Sequence, residues 1–168
     1  VNPARDRGIR AEREACAVLA RALDLDIRRR ANEGVREDIG DLIGVPDTTI
    51  QVSAVPDNPT KIAERAHSKL VDVELQRQRA GTTHAVVLLR IDGGHWRALC
   101  ATNHLYALTG AVEANVVADP CARPGLVLRW APLFACRTWT HVPLTGKYVA
   151  SLDGWCRSWR TRPTPQLQ

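Results

Sequence analysis

EDIGDLIGVPDTTIQVSAV, Glu37 to Val55, is the stretch on which the reading of this chain turns. DLIGV and TIQVSAV are apolar, β-branched runs of strand length, and Pro46-Asp47-Thr48 between them joins a Pro of fixed φ to an Asx-type acceptor. A β-hairpin is expected. It sets the carboxylate of Asp41 beside Leu42 and Ile43, where burial is costly unless a cation or hydrogen-bond donors meet it. Asp38 is its rival: the two acids are three residues apart and face opposite sides of a regular strand, whereas Glu37 shares the parity of Asp41.

Upstream, Pro3 to Leu23 places Ile9, Cys16, Leu19 and Leu23 at helical spacing, with Val18 and Ala22 widening the stripe and Arg and Glu elsewhere. An amphipathic helix follows, and then a short strand near Ile27. Downstream, Pro56-Asp57-Asn58-Pro59 stops the strand, and Ile62, Ala66, Leu70 and Val73 repeat at the helical period until Gly81. HAVVLLRI reads as a strand buried on both faces, and Gly93-Gly94 turns it into HWRALCA. The expected order to residue 101 is α-β-β-β-α-β-β. Beyond it TNHLYALTG suggests a short helix, GLVLRW and RTWTHVPL suggest strands, and RTRPTPQLQ a frayed tail.

A length of 168 residues, 45% hydrophobic and 24% charged, suits one folded domain. We divide it into a core at 1–110 and a Trp- and Arg-rich extension of unknown role at 111–168, which holds four of the five Trp. No apolar run approaches membrane-spanning length and the start is charged from Arg5 onward, so a cytoplasmic protein with no membrane partner is expected. A first residue of Val is what a GTG start codon read literally would give, which suggests a bacterial or phage source. Five Cys without a CxxC indicate neither a disulfide framework nor a zinc ribbon, and the five His show no HxxxH or HNH spacing.

The net charge of +5 is unevenly spread. Residues 1–36 carry 9 basic and 6 acidic side chains, residues 37–119 carry 7 and 11, and residues 120–168 carry 7 and 1. An acidic middle between basic flanks suits an enzyme that holds a cation and acts on a polyanion, although solvated charges explain the balance equally well. Arg5, Arg7, Arg10 and Arg13, with Arg28, Arg29 and Arg30, form a candidate phosphate-facing patch.

Helix, three-stranded meander, helix, strand is the αβββαβ order of the PD-(D/E)xK nuclease core. RGIRAEREACAVL, with Gly8 followed four residues later by Glu12, resembles the first helix of archaeal and phage Holliday-junction resolvases, and DIGDLIG resembles their metal-binding strand, with Asp41 as the matching acid. The resemblance covers roughly residues 5–101. It implies an α/β, restriction-endonuclease-like fold with a mixed central sheet flanked by helices. It also implies a Mg2+-dependent DNA endonuclease, with Mn2+ as an alternative ion, acting as a homodimer on branched or duplex DNA.

Phosphodiester hydrolysis of this kind needs hard oxygen ligands that leave coordination positions to water and substrate. The resemblance assigns that role to Glu12, Asp41 and residue 51, with Val52 turned into the core. Where the family has Glu-x-Lys, this chain has Gln51-Val52-Ser53. Gln51 can still offer an amide oxygen, but it brings no charge, and Ser53 cannot supply the cation that stabilises developing negative charge. Three readings stay open: a lysine recruited from the following helix, Lys61 before Lys69; a site that binds DNA without cutting; or a Ser53 that replaces a lysine by substitution. The family also implies a Gln on that helix near the metal, and Gln78 is chosen over Gln76. A reading from a different class makes the Trp-rich C-terminal third a protein-interaction or assembly surface.

Overall fold

The computed structural model describes residues 3–30, 39–101, 140–142 and 147–161. Helix α1 (Pro3–Leu23) starts on a Pro whose missing N–H costs nothing in a first turn, and its Asp6 and Arg21 match the helix dipole at either end. Strands β1 (Arg28–Arg29), β2 (Leu42–Ile43) and β3 (Thr48–Val55) follow as an antiparallel meander. Helix α2 (Pro59–Ala80) is bounded as the sequence suggests. Asn58 caps it through the Lys61 N–H, and left-handed Gly81 returns its own N–H to the Arg77 and Gln78 carbonyls.

Strand β4 (His84–Ile91) returns parallel to β3, the crossover that a strand–helix–strand unit makes, and β5 (His95–Ala101) runs antiparallel to it. Two short strands, β6 (Thr140–Val142) and β7 (Lys147–Ser151), and helix α3 (Leu152–Arg160) complete the described elements. Among the described residues the sheet has seven strands in the order β1-β2-β3-β4-β5-β7-β6. The protein is therefore α/β, with a mixed sheet flanked by helices, and the element order to residue 101 is the one expected.

Strand alternation divides the core. Ile50 and Val52 of β3, Val86 and Leu88 of β4, and Ala98 and Cys100 of β5 face α1 and α3. Val55, Ala85, Val87, Leu89, Ile91 and Leu99 face α2, whose Ile62, Ala66, Leu70 and Val73 are buried as their spacing predicts. Helix α1 departs from expectation: its fully covered residues are Ala11, Ala15, Leu19 and Leu23, while Ile9 and Cys16 are only half-buried. Two alanines let α1 lie close on β3, and that closeness turns the stripe away from the bulkier side chains.

The sequence reading has no helix at 152–160. Leu152, Trp155, Cys156 and Trp159 at i, i+3, i+4 and i+7 pack with α1, and β7 pairs with β5, so this part of the extension shares the sheet and core of the first hundred residues. Strand β6 falls within RTWTHVPL. TNHLYALTG, GLVLRW and the last seven residues lie outside the described residues, as do Glu37 and Asp38. Among the described residues no helix is long and apolar enough to cross a membrane.

Candidate metal centre at the sheet edge

The site forms where β2 begins. Leu42 pairs with Ile50, and Asp41, one residue before the strand, donates its N–H to the Ile50 carbonyl as well, which leaves its carboxylate beside Gln51 and Val52. Gly40, at φ 103°, turns the chain into this position, and a Cβ there would stand 3.1 Å from the Ile50 carbonyl oxygen. Gly44 closes the strand at φ 108°, where a Cβ would collide with the Asp26 carbonyl. Between them the backbone is held by Asp41 N–H donating to the Ile50 carbonyl and Arg30 N–H donating to the Asp41 carbonyl, both at 2.8 Å.

The Asp41 carboxylate is well supplied. Its Oδ2 accepts from the Val52 N–H at 2.6 Å and from Gln51 Nε2 at 3.2 Å. A backbone donor and an amide on one oxygen satisfy much of the need that suggested a cation, so a structural part of the role of Asp41 is to close the edge of β3 beyond the start of β2. Gln51 is 7% exposed, and with its Nε2 on Asp41 the buried Oε1 has no partner among the described residues. A buried amide oxygen without a donor costs about 1–3 kcal/mol. The reverse amide orientation would set two oxygens against each other.

Glu12 reaches the same edge from α1. Burial, first, and the nearby Asp41 carboxylate, second, push its carboxyl above the usual range, while Arg29 pulls it back. The Arg29 guanidinium lies 3.5 Å from Glu12 Oε2, and the Cys16 thiol, one turn along α1, is raised by burial and then by Glu12 and lowered by Arg29. Glu12, Arg29 and Asp41 therefore share one electrostatic neighbourhood. Val52 points into the α1-side core, as its alternation predicts.

The other expected residues are placed elsewhere. Ser53 is on the strand face of Gln51, 8% exposed and covered by α2. Lys61 is 61% exposed, its Nζ 2.9 Å from Glu64, in an open groove with Val55, Pro56, Arg65 and Ser68. Lys69, two turns further along α2, is 21% exposed and pairs with Asp72 at 2.9 Å, which makes it the more enclosed of the two lysines. Gln78 is exposed and donates to Glu74 at 3.4 Å, whereas Gln76 is fully covered on the sheet-facing side of α2. Helical spacing accounts for that difference, because Gln76 follows the buried Val73 by three residues. Arg7, Arg10 and Arg13 are exposed on α1; Arg29, grouped with them from sequence, is turned to Glu12 instead.

Hard oxygens from Glu12, Asp41 and Gln51 fit a Mg2+ or Mn2+ ion in donor type, the Gln51 Oε1 being a neutral oxygen with no partner among the described residues. They supply only two negative charges. Among the described residues no cluster of three His, Cys, Asp or Glu side chains forms a metal site. The chain matches no protein-family model, no curated protein and no solved structure.

Proposed function

We propose that the protein is a metal-dependent DNA endonuclease on a restriction-endonuclease-like core, of the Holliday-junction-resolvase kind. The observation that carries the reading is Asp41 at the sheet edge between Glu12, whose carboxyl it pushes up, and Gln51, which donates to its Oδ2 and keeps an amide oxygen with no partner among the described residues. These three residues would hold the ion. When bound, the ion would supply a Lewis acid for the scissile phosphate and neutralise charge developing there. The chain's own residues do the remaining work: Val52 N–H and Gln51 Nε2 orient Asp41, and the exposed Arg7, Arg10 and Arg13 offer charges to the DNA backbone. A two-fold dimer, one active site for each of two symmetric nicks, belongs to the same reading.

A second reading, binding without cutting, is favoured by one specific observation. Ser53 brings no charge, and Lys61, expected to replace the missing lysine, is held by Glu64 in an exposed groove. Cleavage of synthetic four-way junctions with Mg2+ or Mn2+ separates the two. Slow cutting by the parent that is abolished in Asp41→Asn supports the endonuclease; Asn retains an oxygen to accept from Val52 N–H, so loss of cutting is not loss of fold. Tight junction binding with no cutting, surviving Asp41→Asn and converted to cutting by Gln51→Glu with Ser53→Lys, would establish the second reading. Failure to bind any DNA at low salt would sink both.

A further inference from the structure

The acid pair has a cation of its own. Strand β1 sets Arg29 opposite Leu42, the residue after Asp41, and the hydrogen bond from Arg30 N–H to the Asp41 carbonyl ties that strand to the site. The guanidinium stands 3.5 Å from Glu12 Oε2, with the two side chains only 32% and 22% exposed. Its charge is permanent, since arginine does not lose its proton in proteins. The separation is longer than the roughly 2.7–2.9 Å of a tight charge-assisted hydrogen bond, so the pairing is one of charge that can be exchanged.

We propose that Arg29 is a built-in counter-ion of the Glu12–Asp41 centre, which a divalent cation displaces from Glu12 and which then takes a phosphate of the bound DNA. This rests on the metal-centre reading above. Without an ion, Arg29 offsets the repulsion between two enclosed carboxylates. When an ion arrives it stands in the way, because guanidinium and metal seek the same Glu12 oxygens. Once released, its planar fork suits a phosphate as well as it suited the carboxylate. Arg29 is thus a positioning residue whose removal has opposite effects on the two ligands, a result that a merely structural arginine would not give.

The test uses the full chain without DNA, then with it. Mn2+ binding by calorimetry is compared for the parent, Arg29→Gln and Arg29→Lys. Removing the charge should tighten Mn2+ binding about two- to fivefold, the scale of one partly exposed ion pair, while Arg29→Lys stays near the parent. Duplex DNA binding, followed by anisotropy, should weaken in Arg29→Gln, with the slope of log Kobs against log salt falling by about 0.9, since one phosphate fewer is neutralised. Equal or weaker Mn2+ binding by Arg29→Gln, or an unchanged salt slope, overturns the proposal and leaves the metal centre standing. Absence of Mn2+ binding in all three proteins removes the metal centre and this inference together. If Arg29→Gln loses its helical circular dichroism, Arg29→Met, which keeps the aliphatic stem, is judged by the same criteria.

Discussion

On β3, Ile50 and Val52 face α1 in an apolar core, with Thr48 at the strand's start accepting from Trp159 Nε1, whereas Thr49, Gln51 and Ser53 on the opposite face are almost as completely covered and are polar. Their parallel neighbours on β4, Ala85, Val87 and Leu89, are apolar, so nothing about that layer demands polarity. Hydrophobic burial alone would select Val or Ile at all three positions. Thr49 offsets its cost with a 2.6 Å hydrogen bond to Thr82, and Gln51 offsets half of its own on Asp41. The two faces meet at Asp41, reached by Gln51 from the polar side and by Glu12 from the α1 side, and the polar row matters because places where local rules fail without full compensation are where function is expected.

The largest test is aimed at the apolar side. Trp155→Ala opens the core beneath α1, where Trp155 is completely covered, and should cost about 3–5 kcal/mol in urea unfolding. A loss below about 1 kcal/mol would mean that α3 is not integral to that core. The polar side should respond differently. Gln51→Leu removes an orphaned oxygen at similar volume, so stability should change by no more than about 1 kcal/mol, with a gain as acceptable as a loss, while Mn2+ affinity drops. A large destabilisation would show that the polar row is structural and would erase the contrast.

The smallest effect is a pH dependence. The folded Glu12 carboxyl is raised above its ordinary 4.5, so the native state binds the proton more tightly than the unfolded chain and loses stability as pH climbs from that value through the folded one. Glu12→Gln removes this loss. Its melting temperature should exceed that of the parent at about pH 7 and match it below about pH 4. The opposite trend would mean that the Arg29 pair outweighs burial and the Asp41 charge.

Much of this frame was legible before the structure. Asn58 and Gly81 delimit α2 through the chemistry of their own positions, and HAVVLLRI became a strand buried on both faces. Helix α3 was not read from the sequence: Leu152, Trp155, Cys156 and Trp159 follow the helical period, but Gly154 and two arginines within nine residues obscure the pattern. Of the site, the hairpin that carries Asp41 and Gln51 was legible, but their contact was not, because Asp41 N–H bonds the Ile50 carbonyl instead of keeping a regular register to Gln51. The α1 stripe does not follow, because side-chain size ranks Ile9 and Cys16 above Ala11 and Ala15, and only the approach distance to β3 reverses that order.

By itself the sequence determined the α-β-β-β-α-β-β order, the ends of α2, the shared face of Gln51 and Ser53, and the missing charge at position 53. These rest on local dihedral preference and on periods of two and 3.6 residues, which neighbours along the chain carry complete. Tertiary structure alone decided that Arg29 turns to Glu12 and that Gln51, its Nε2 on Asp41, is left with an oxygen that has no partner among the described residues. Charge pairing and polar satisfaction depend on which surfaces the packed helices and strands bring within a few ångströms, and no spacing within one element contains that information.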